Sequence, residues 1–531
     1  MSSKMAMRLV KPSLLTRMRL NEHLFSETRR TPQEIEIERL SKVVQQSPQD
    51  WEQRLILANL LYEMDCWDQS VAEYCQVLAQ KPQLQSAWLK LGQILQQMAR
   101  EPEAAAVYEH ALTLADDPIY QLHLMGAIAT CHHLPQTAIH AFGAATKLDP
   151  QNPDLWLALG EAHQTREDPV AALQAFEQFL WLKPDNILGL SHSYEALFAL
   201  GRWREAGWRT ERVLALDPCN VQALRTLADT RSKQGLVWGE EGKRTRQLIR
   251  SALRLAPQDA RSQVSLAYYR IFRREPDKGI AALRQFTEAH PNKVDGWHCY
   301  ARCLFHTGYF LEAAQAILKA HTLGEKDCDL YRTACEILPI VGKIHELQSL
   351  IIEMLDRFPE RWSIWAAAGR VLVETFKDRE RGCAFSALGK QLQPHLSQAW
   401  FQYGRVLMLA GQYQQATSVL ERGWEQLANE EDLEAVSAAV WLAESYQATG
   451  DRTSSKFWWK VAHQKSHDLI EFNPAQAYYW QGKTLAGLGY EAAATQAYST
   501  ALGQQLLYPL RSEVEESVAR RSGFDPIGVR F

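Results

Sequence analysis

Although 46% of the residues are hydrophobic, no stretch approaches the roughly eighteen uninterrupted apolar residues that a membrane-spanning helix needs. A soluble protein is therefore expected. The nine cysteines contain no CxxC pair, and no secretory apolar segment stands ahead of them, so a reducing compartment fits better than a disulfide framework. Charge of neither sign dominates: 58 Lys and Arg against 62 Asp and Glu leave a net charge of −4, which gives no global attraction to nucleic acid. Acid is missing only at the start, where residues 1–21 carry Lys4, Arg8, Lys11, Arg17 and Arg19. Such a segment fits a basic arm on a cytoplasmic protein or, alternatively, an organelle transit segment, although Pro12 interrupts any long amphipathic helix there.

What the chain has instead is a period. Small residues recur at Ala58, Gly92, Gly126, Gly160, Ala228, Ala267, Ala301, Gly369, Gly404, Ala443 and Gly482, at gaps of 34 residues or small extensions of it, with Tyr194 and Cys335 in the remaining slots. A proline follows by 24 or 25 residues at Pro82, Pro150, Pro184, Pro218, Pro291, Pro359 and Pro394. Pro257 comes later, in a lengthened unit. A second small-residue series, from Ser70 and Ala104 to Ala416, trails the first by twelve, and Trp88, Trp156, Trp297, Trp365, Trp400 and Tyr478 precede the first series by four. Two short helices per unit explain the phase: small residues let the pair approach closely, the Trp fills the gap, and the proline starts the turn into the next unit. One unit alone exposes its apolar face, and stacking buries it.

This pattern resembles the tetratricopeptide repeat, with WLKLGQIL at 88–95, WLALGEAH at 156–163 and WFQYGRVL at 400–407 as the best matches. The resemblance implies an all-α fold, a right-handed superhelical solenoid of helix-turn-helix units. About thirteen units are expected over 51–507, after a basic arm and lead-in helix over 1–50 and before a capping helix and tail over 508–531. The sixth unit contains GEEGKRT at 239–245, which lacks the first glycine and the final Ser or Thr of a phosphate-binding loop, so a lengthened inter-helix turn is expected there.

The segment WHCYARCLFHTGYF at 297–310 concentrates His298, Cys299, Cys303 and His306. The two histidines stand about 12 Å apart along a helix, and Cys299 and His306 about 10 Å, too far to share one metal. Cysteines packed as small hydrophobes and histidines facing the groove are expected instead.

In such repeats, positions 2, 5, 9, 12 and 13 of each first helix line the concave face. The resemblance thus assigns an acidic lining to the first half, through Glu52, Glu63, Asp154, Glu161 and Glu195. Later units contribute Arg225, Lys233, Arg261, Arg302, Arg332, Arg370 and Arg405 against Asp229, Asp295, Asp329, Glu336 and Glu374. At the centre, Tyr268, Ile271, Phe272, Phe305, His298 and His306 form an apolar patch flanked by Arg261 and Arg302. Exposed aromatics beside arginines suit a protein-binding hot spot, and packing against the next helix or a chain terminus is the alternative. The carboxylate-clamp set of Lys, Asn and Arg and a ladder of inward asparagines, both known in this family, are absent. The arm over 1–30 has the charge to occupy the acidic half until a partner displaces it.

No Ser/His/Asp order, paired carboxylates or metal signature emerges, and no cofactor is expected. The expected function is a non-catalytic scaffold or adaptor holding a protein or peptide partner in its groove. An RNA-binding repeat protein, or a regulatory subunit of a separate enzyme, is the alternative.

Overall fold

The computed structural model describes residues 32–64, 66–324, 327–427 and 433–521. The arm over 1–30 lies outside them, as do residues 428–432 and the last ten residues. Among the described residues there are 28 helices and no strand. The lead-in helix Pro32–Gln46 packs Leu40 and Val44 against Leu57 and Leu61. Thirteen helix pairs follow, from Trp51–Glu63 with Trp67–Gln80 to Pro474–Gly487 with Glu491–Gly503. The fold is an all-α helical-repeat solenoid.

Local chemistry starts each unit. Asp117, Asn152 and Asn473 cap helices that begin with proline, and their side chains accept backbone N–H bonds from the first turn. Proline suits that position because its missing N–H has no helical partner there. The small-residue ladder works as expected, but its partner is a different aromatic. A Cβ on Gly92 would stand 2.2 Å from the Tyr108 ring, and one on Gly160 would stand 2.3 Å from Phe176. The ring that fills the gap thus comes from the second helix, sixteen residues on, as with Tyr74, Phe142 and Tyr498. The tryptophans do something else: Trp88, Trp156, Trp297, Trp365 and Trp400 donate their indole N–H to the carbonyl of the proline six residues earlier, at 2.7–2.9 Å. Each pins the incoming turn to the helix that follows it.

The lengthened sixth unit places its turn at 234–238 and continues GEEGKRT as the start of helix Gly239–Leu255. The extra residues therefore go largely into a seventeen-residue helix rather than a turn. The twelfth unit does the same with Leu433–Thr449 and Arg452–Asp468.

The chain divides into two compact units, residues 1–196 and 197–531. The second closes on itself. Near its start, Trp203 meets Phe472 edge-on at 5.9 Å, Arg204 pairs with Glu471 at 3.0 Å, and Gln398 donates to the Ala199 carbonyl at 2.9 Å. Trp203 also packs on the cluster of Val436, Leu469 and Ala477. Near its end, helix Leu510–Arg521 covers the last pair through Val514, and Tyr479 donates to Glu513 at 2.7 Å.

Candidate functional site

Closure of the second unit leaves a cavity of about 680 Å³. One wall is built by first helices of successive pairs, Val221–Lys233, Ala260–Phe272 and Val294–Thr307, which contribute Arg225, Asp229, Lys233, Arg261, Tyr268, Phe272, Asp295, His298 and Arg302. The other wall comes from far along the chain: Gln398, Asn473, Gln476 and the segment Gln505–Leu510.

That segment settles the fate of the central aromatic patch. Tyr508 donates its backbone N–H to the His306 carbonyl at 3.2 Å, and its ring stands edge-on to Phe310 at 5.3 Å. Leu507 packs against the clusters containing Phe272 and Phe305, and Arg274 holds the Gly503 carbonyl at 2.9 Å. Gly308 accommodates the strap: its φ is +91°, and a Cβ there would stand 2.8 Å from the Tyr508 ring. The expectation of an exposed patch is corrected accordingly. Ile271 is 3%, Phe305 2% and Phe272 9% exposed, because neighbouring helices and this strap cover them. The bulk of the patch is core, and apart from the small exposed part of Phe272 only its polar edge reaches the cavity.

That edge is Tyr268, His298 and His306. The Tyr268 hydroxyl and His306 Nδ1 lie 2.5 Å apart. Burial, with the charges of Arg302 and Lys233, pushes the His306 pKa down to about 3, so the ring is neutral at physiological pH. Burial raises that of Tyr268. His298 is buried with Nε2 at 3.3 Å from the Thr333 hydroxyl. Cys303 is fully buried, and burial raises its thiol to about 12, which suppresses the reactive thiolate. Among the described residues no group of three or more His, Cys, Asp or Glu is arranged to hold a metal ion.

The expected basic residues divide. Arg261 and Arg302 line the cavity, whereas Arg370 pairs with Glu374 at 3.5 Å and Arg405 lies over the Trp441 ring at 5.5 Å, both away from its lining. In the first unit, Glu52, Glu63, Asp154 and Glu161 are exposed and Glu195 half-buried. The structure brings Glu161 and Glu195 together around His192 and Gln164: Glu161 is 3.4 Å from His192, and Gln164 donates to Glu195 at 2.8 Å. Burial lowers the His192 pKa, but the hydrogen bond and charge of Glu161, aided by Glu195, outweigh it and raise the value overall. Asp154 lies apart, 3.4 Å from Lys183. Glu52 and Glu63 occupy opposite ends of one helix.

Sequence reasoning missed Phe198, Gln398, Asn473, Gln476 and the 505–510 strap as lining residues. No local signal marks them, since closure between distant units brings them there.

Fold and cavity together define a helical-repeat protein built of stacked helix pairs. The family profile of the tetratricopeptide repeat matches residues 85–118, 133–187 and 264–327; the protein is a tetratricopeptide-repeat protein with many repeat units. Among curated proteins, it is 26% identical over 238 residues to the peroxisomal targeting signal receptor of Komagataella phaffii, covering 44% of this chain and 40% of that one. The receptor of the same name from Kluyveromyces lactis is 25% identical over 236 residues, covering 40% and 39%. The chain thus spans about two fifths of the length of these relatives. Among solved structures, yeast Tom70 aligns over 82% of this chain and 100% of its own, with TM-score 0.40 and 13% identity. A tetratricopeptide repeat protein from Parabacteroides merdae covers 55% of this chain and 98% of its own, with TM-score 0.36 and 15% identity.

Proposed function

We propose that the protein is a non-catalytic adaptor or receptor that takes a segment of a protein partner into the cavity of its second unit. The observation that carries this reading is the cavity's construction: about 680 Å³ bounded by charged side chains and amides, with apolar patches at Val264, Phe272 and Leu507. Clefts of roughly 300–1,000 Å³ lined this way suit a small ligand or a few residues of extended peptide. Similarity to the peroxisomal targeting signal receptors, named for what those proteins recognise, supports the receptor reading. The lining balances Arg225, Lys233, Arg261 and Arg302 with Asp229, Asp295, Asp327, Asp329 and Glu434, which gives a nucleic-acid backbone no continuous basic track.

Photo-crosslinking in cells tests the proposal. A photoreactive residue at Arg261 or Gln476, both in the lining, is expected to form an adduct with a protein partner, and one at Trp208, an exposed outer position, is not. Adducts from Trp208 alone overturn the reading. For localisation, we propose the cytoplasm, and deleting residues 1–30 tests the organelle alternative: a change of compartment on deletion favours it.

A further inference from the structure

We propose that the outward face of helix Arg452–Asp468 is a docking surface for an anionic lipid bilayer, on which the protein lies as a peripheral partner. This is the second helix of the twelfth pair, and none of its residues lines the cavity. It turns Ser455, Trp459, Ala462 and Ser466 inward. At 3.6 residues per turn the opposite direction runs through Thr453, Phe457, Lys460 and Gln464, and these four, with Lys456 beside Phe457, are exposed. Phe457 thus stands at the crest, 59% exposed. Its ring meets Trp458 edge-on at 5.4 Å, and Trp458 in turn meets Trp424 at 4.9 Å beside the cluster of Ala439 and Ala462. The exposed ring therefore rests on a packed base.

The charge around that ring is of one sign. From Arg452 to His467 there is no Asp or Glu, in a chain whose net charge is −4. The side chains of Arg452, Lys456 and Lys460 are exposed and form no ion pair or hydrogen bond among the described residues. The acids at the two ends are Asp451, whose carboxylate accepts from the N–H groups of Thr453 and Ser454 as the helix cap, and Asp468 in the last position. The neighbouring second helices add little acid. Tyr413–Glu425 carries Arg422 as well as Glu425, while its Glu421 accepts from the Tyr446 hydroxyl, and Glu491–Gly503 has Glu491 as its single charge. Lysine stems carry ammonium groups to headgroup phosphates while an apolar side chain between them enters the acyl boundary. Nucleic acid fits this face less well, because Trp458 is turned onto Trp424 and leaves no row of rings on which bases could stack. Among the described residues no helix is long and apolar enough to cross a bilayer, so the contact is with its surface.

The surface is separate from the cavity, so it stands or falls independently of the partner reading. The measurement is co-sedimentation of the full chain with sucrose-loaded vesicles of phosphatidylcholine containing about a third phosphatidylserine, compared with pure phosphatidylcholine vesicles and with a homopolymeric RNA. Binding to the anionic vesicles is expected, weakened about fivefold by Lys456→Gln or Lys460→Gln, which each remove one charge from the leaflet surface. Phe457→Ser is expected to weaken it about threefold or more, and to do so at high salt as well, where the charges are screened. Because these three side chains are exposed, their variants are expected to keep the wild-type helicity, which circular dichroism checks. No sedimentation with anionic vesicles, or equal binding to pure phosphatidylcholine, overturns the proposal. So does unchanged binding when Lys456→Gln, Phe457→Ser and Lys460→Gln are combined, which would place the contact elsewhere, such as the basic arm over 1–30. RNA bound more tightly than the vesicles and released by the same combined variant overturns it in favour of a nucleic-acid surface.

Discussion

Two glycines in the first unit separate what a repeat gains from helix propensity and what it gains from close packing. Gly143 sits in helix Pro135–Leu148, and a Cβ there meets nothing within 4 Å. Gly160 sits in helix Pro153–Thr165, and its Cβ would stand 2.3 Å from Cε1 of Phe176, a ring with no exposed surface. Gly143→Ala should stabilise the fold by about 0.5–1 kcal/mol through the lower entropy of the unfolded chain. Gly160→Ala has the same gain available, but the buried ring cannot move into solvent, so overpacking of about 1–3 kcal/mol opposes it. The two variants should therefore differ by the whole overpacking cost, with Gly160→Ala the less stable. Phe176→Leu should rescue Gly160→Ala in part, giving a coupling of about 0.5–3 kcal/mol between two residues in contact. Urea unfolding followed by far-ultraviolet circular dichroism, with hydrogen exchange of the amides in 153–165 as a local probe, provides the comparison. Equal effects of the two alanines, or no coupling with Phe176→Leu, would show that the small-residue ladder is not set by this contact.

Trp156→Phe removes the indole bond to the Pro150 carbonyl at 2.9 Å and should cost about 0.5–1.5 kcal/mol, measured as a lower urea midpoint; a change below about 0.3 kcal/mol refutes the stitching role. Leu507→Ala should loosen the strap by about 1–2 kcal/mol, less than for a fully buried leucine because Leu507 is half-buried. Faster exchange of the Tyr508 amide, which bonds the His306 carbonyl, reports it, and unchanged protection refutes it. Burial lowers the His123 pKa to about 4, and burial aided by two cations lowers that of His306 to about 3, both from an ordinary value of 6.5. The unfolded chain therefore binds these protons first, so their contribution to stability is full above pH 6.5 and is lost as pH falls from there toward 4 and then 3. Proton resonances of both rings should stay constant between pH 5 and 8, and a midpoint near 6.5 for either ring contradicts the burial argument.

The fold was legible in the sequence because each pair contacts chiefly its neighbours, so one register repeated along the chain specifies the helices, their small-residue contacts and their caps. Unit starts at 85, 153, 187 and 221 match first helices beginning at Gln85, Pro153, Ile187 and Val221. The placement of Tyr268, His298, Arg302 and His306 toward the interior followed from the same register. Two features did not. The tryptophan's partner is a carbonyl, which sequence does not display, so its apolar ring invited a packing role. The burial of Phe272 and Phe305 depends on a strap more than 200 residues away, delivered by the summed rotation of the intervening repeats. Small errors per unit accumulate in such a sum, and no periodic pattern records its result.

The pairing of Trp203 and Arg204 with Phe472 and Glu471 also has a bearing on access. An open row of repeats can be approached from the side anywhere along its length, and it frays from its last member inward. A row joined head to tail has neither option. If the cavity takes a partner as proposed, a long polypeptide must reach the interior of this second unit end first, like thread through a needle's eye, or wait for the junction near 203 and 472 to part. Short segments and chain termini would then enter most readily, and loss of one inner pair must sever two junctions rather than one.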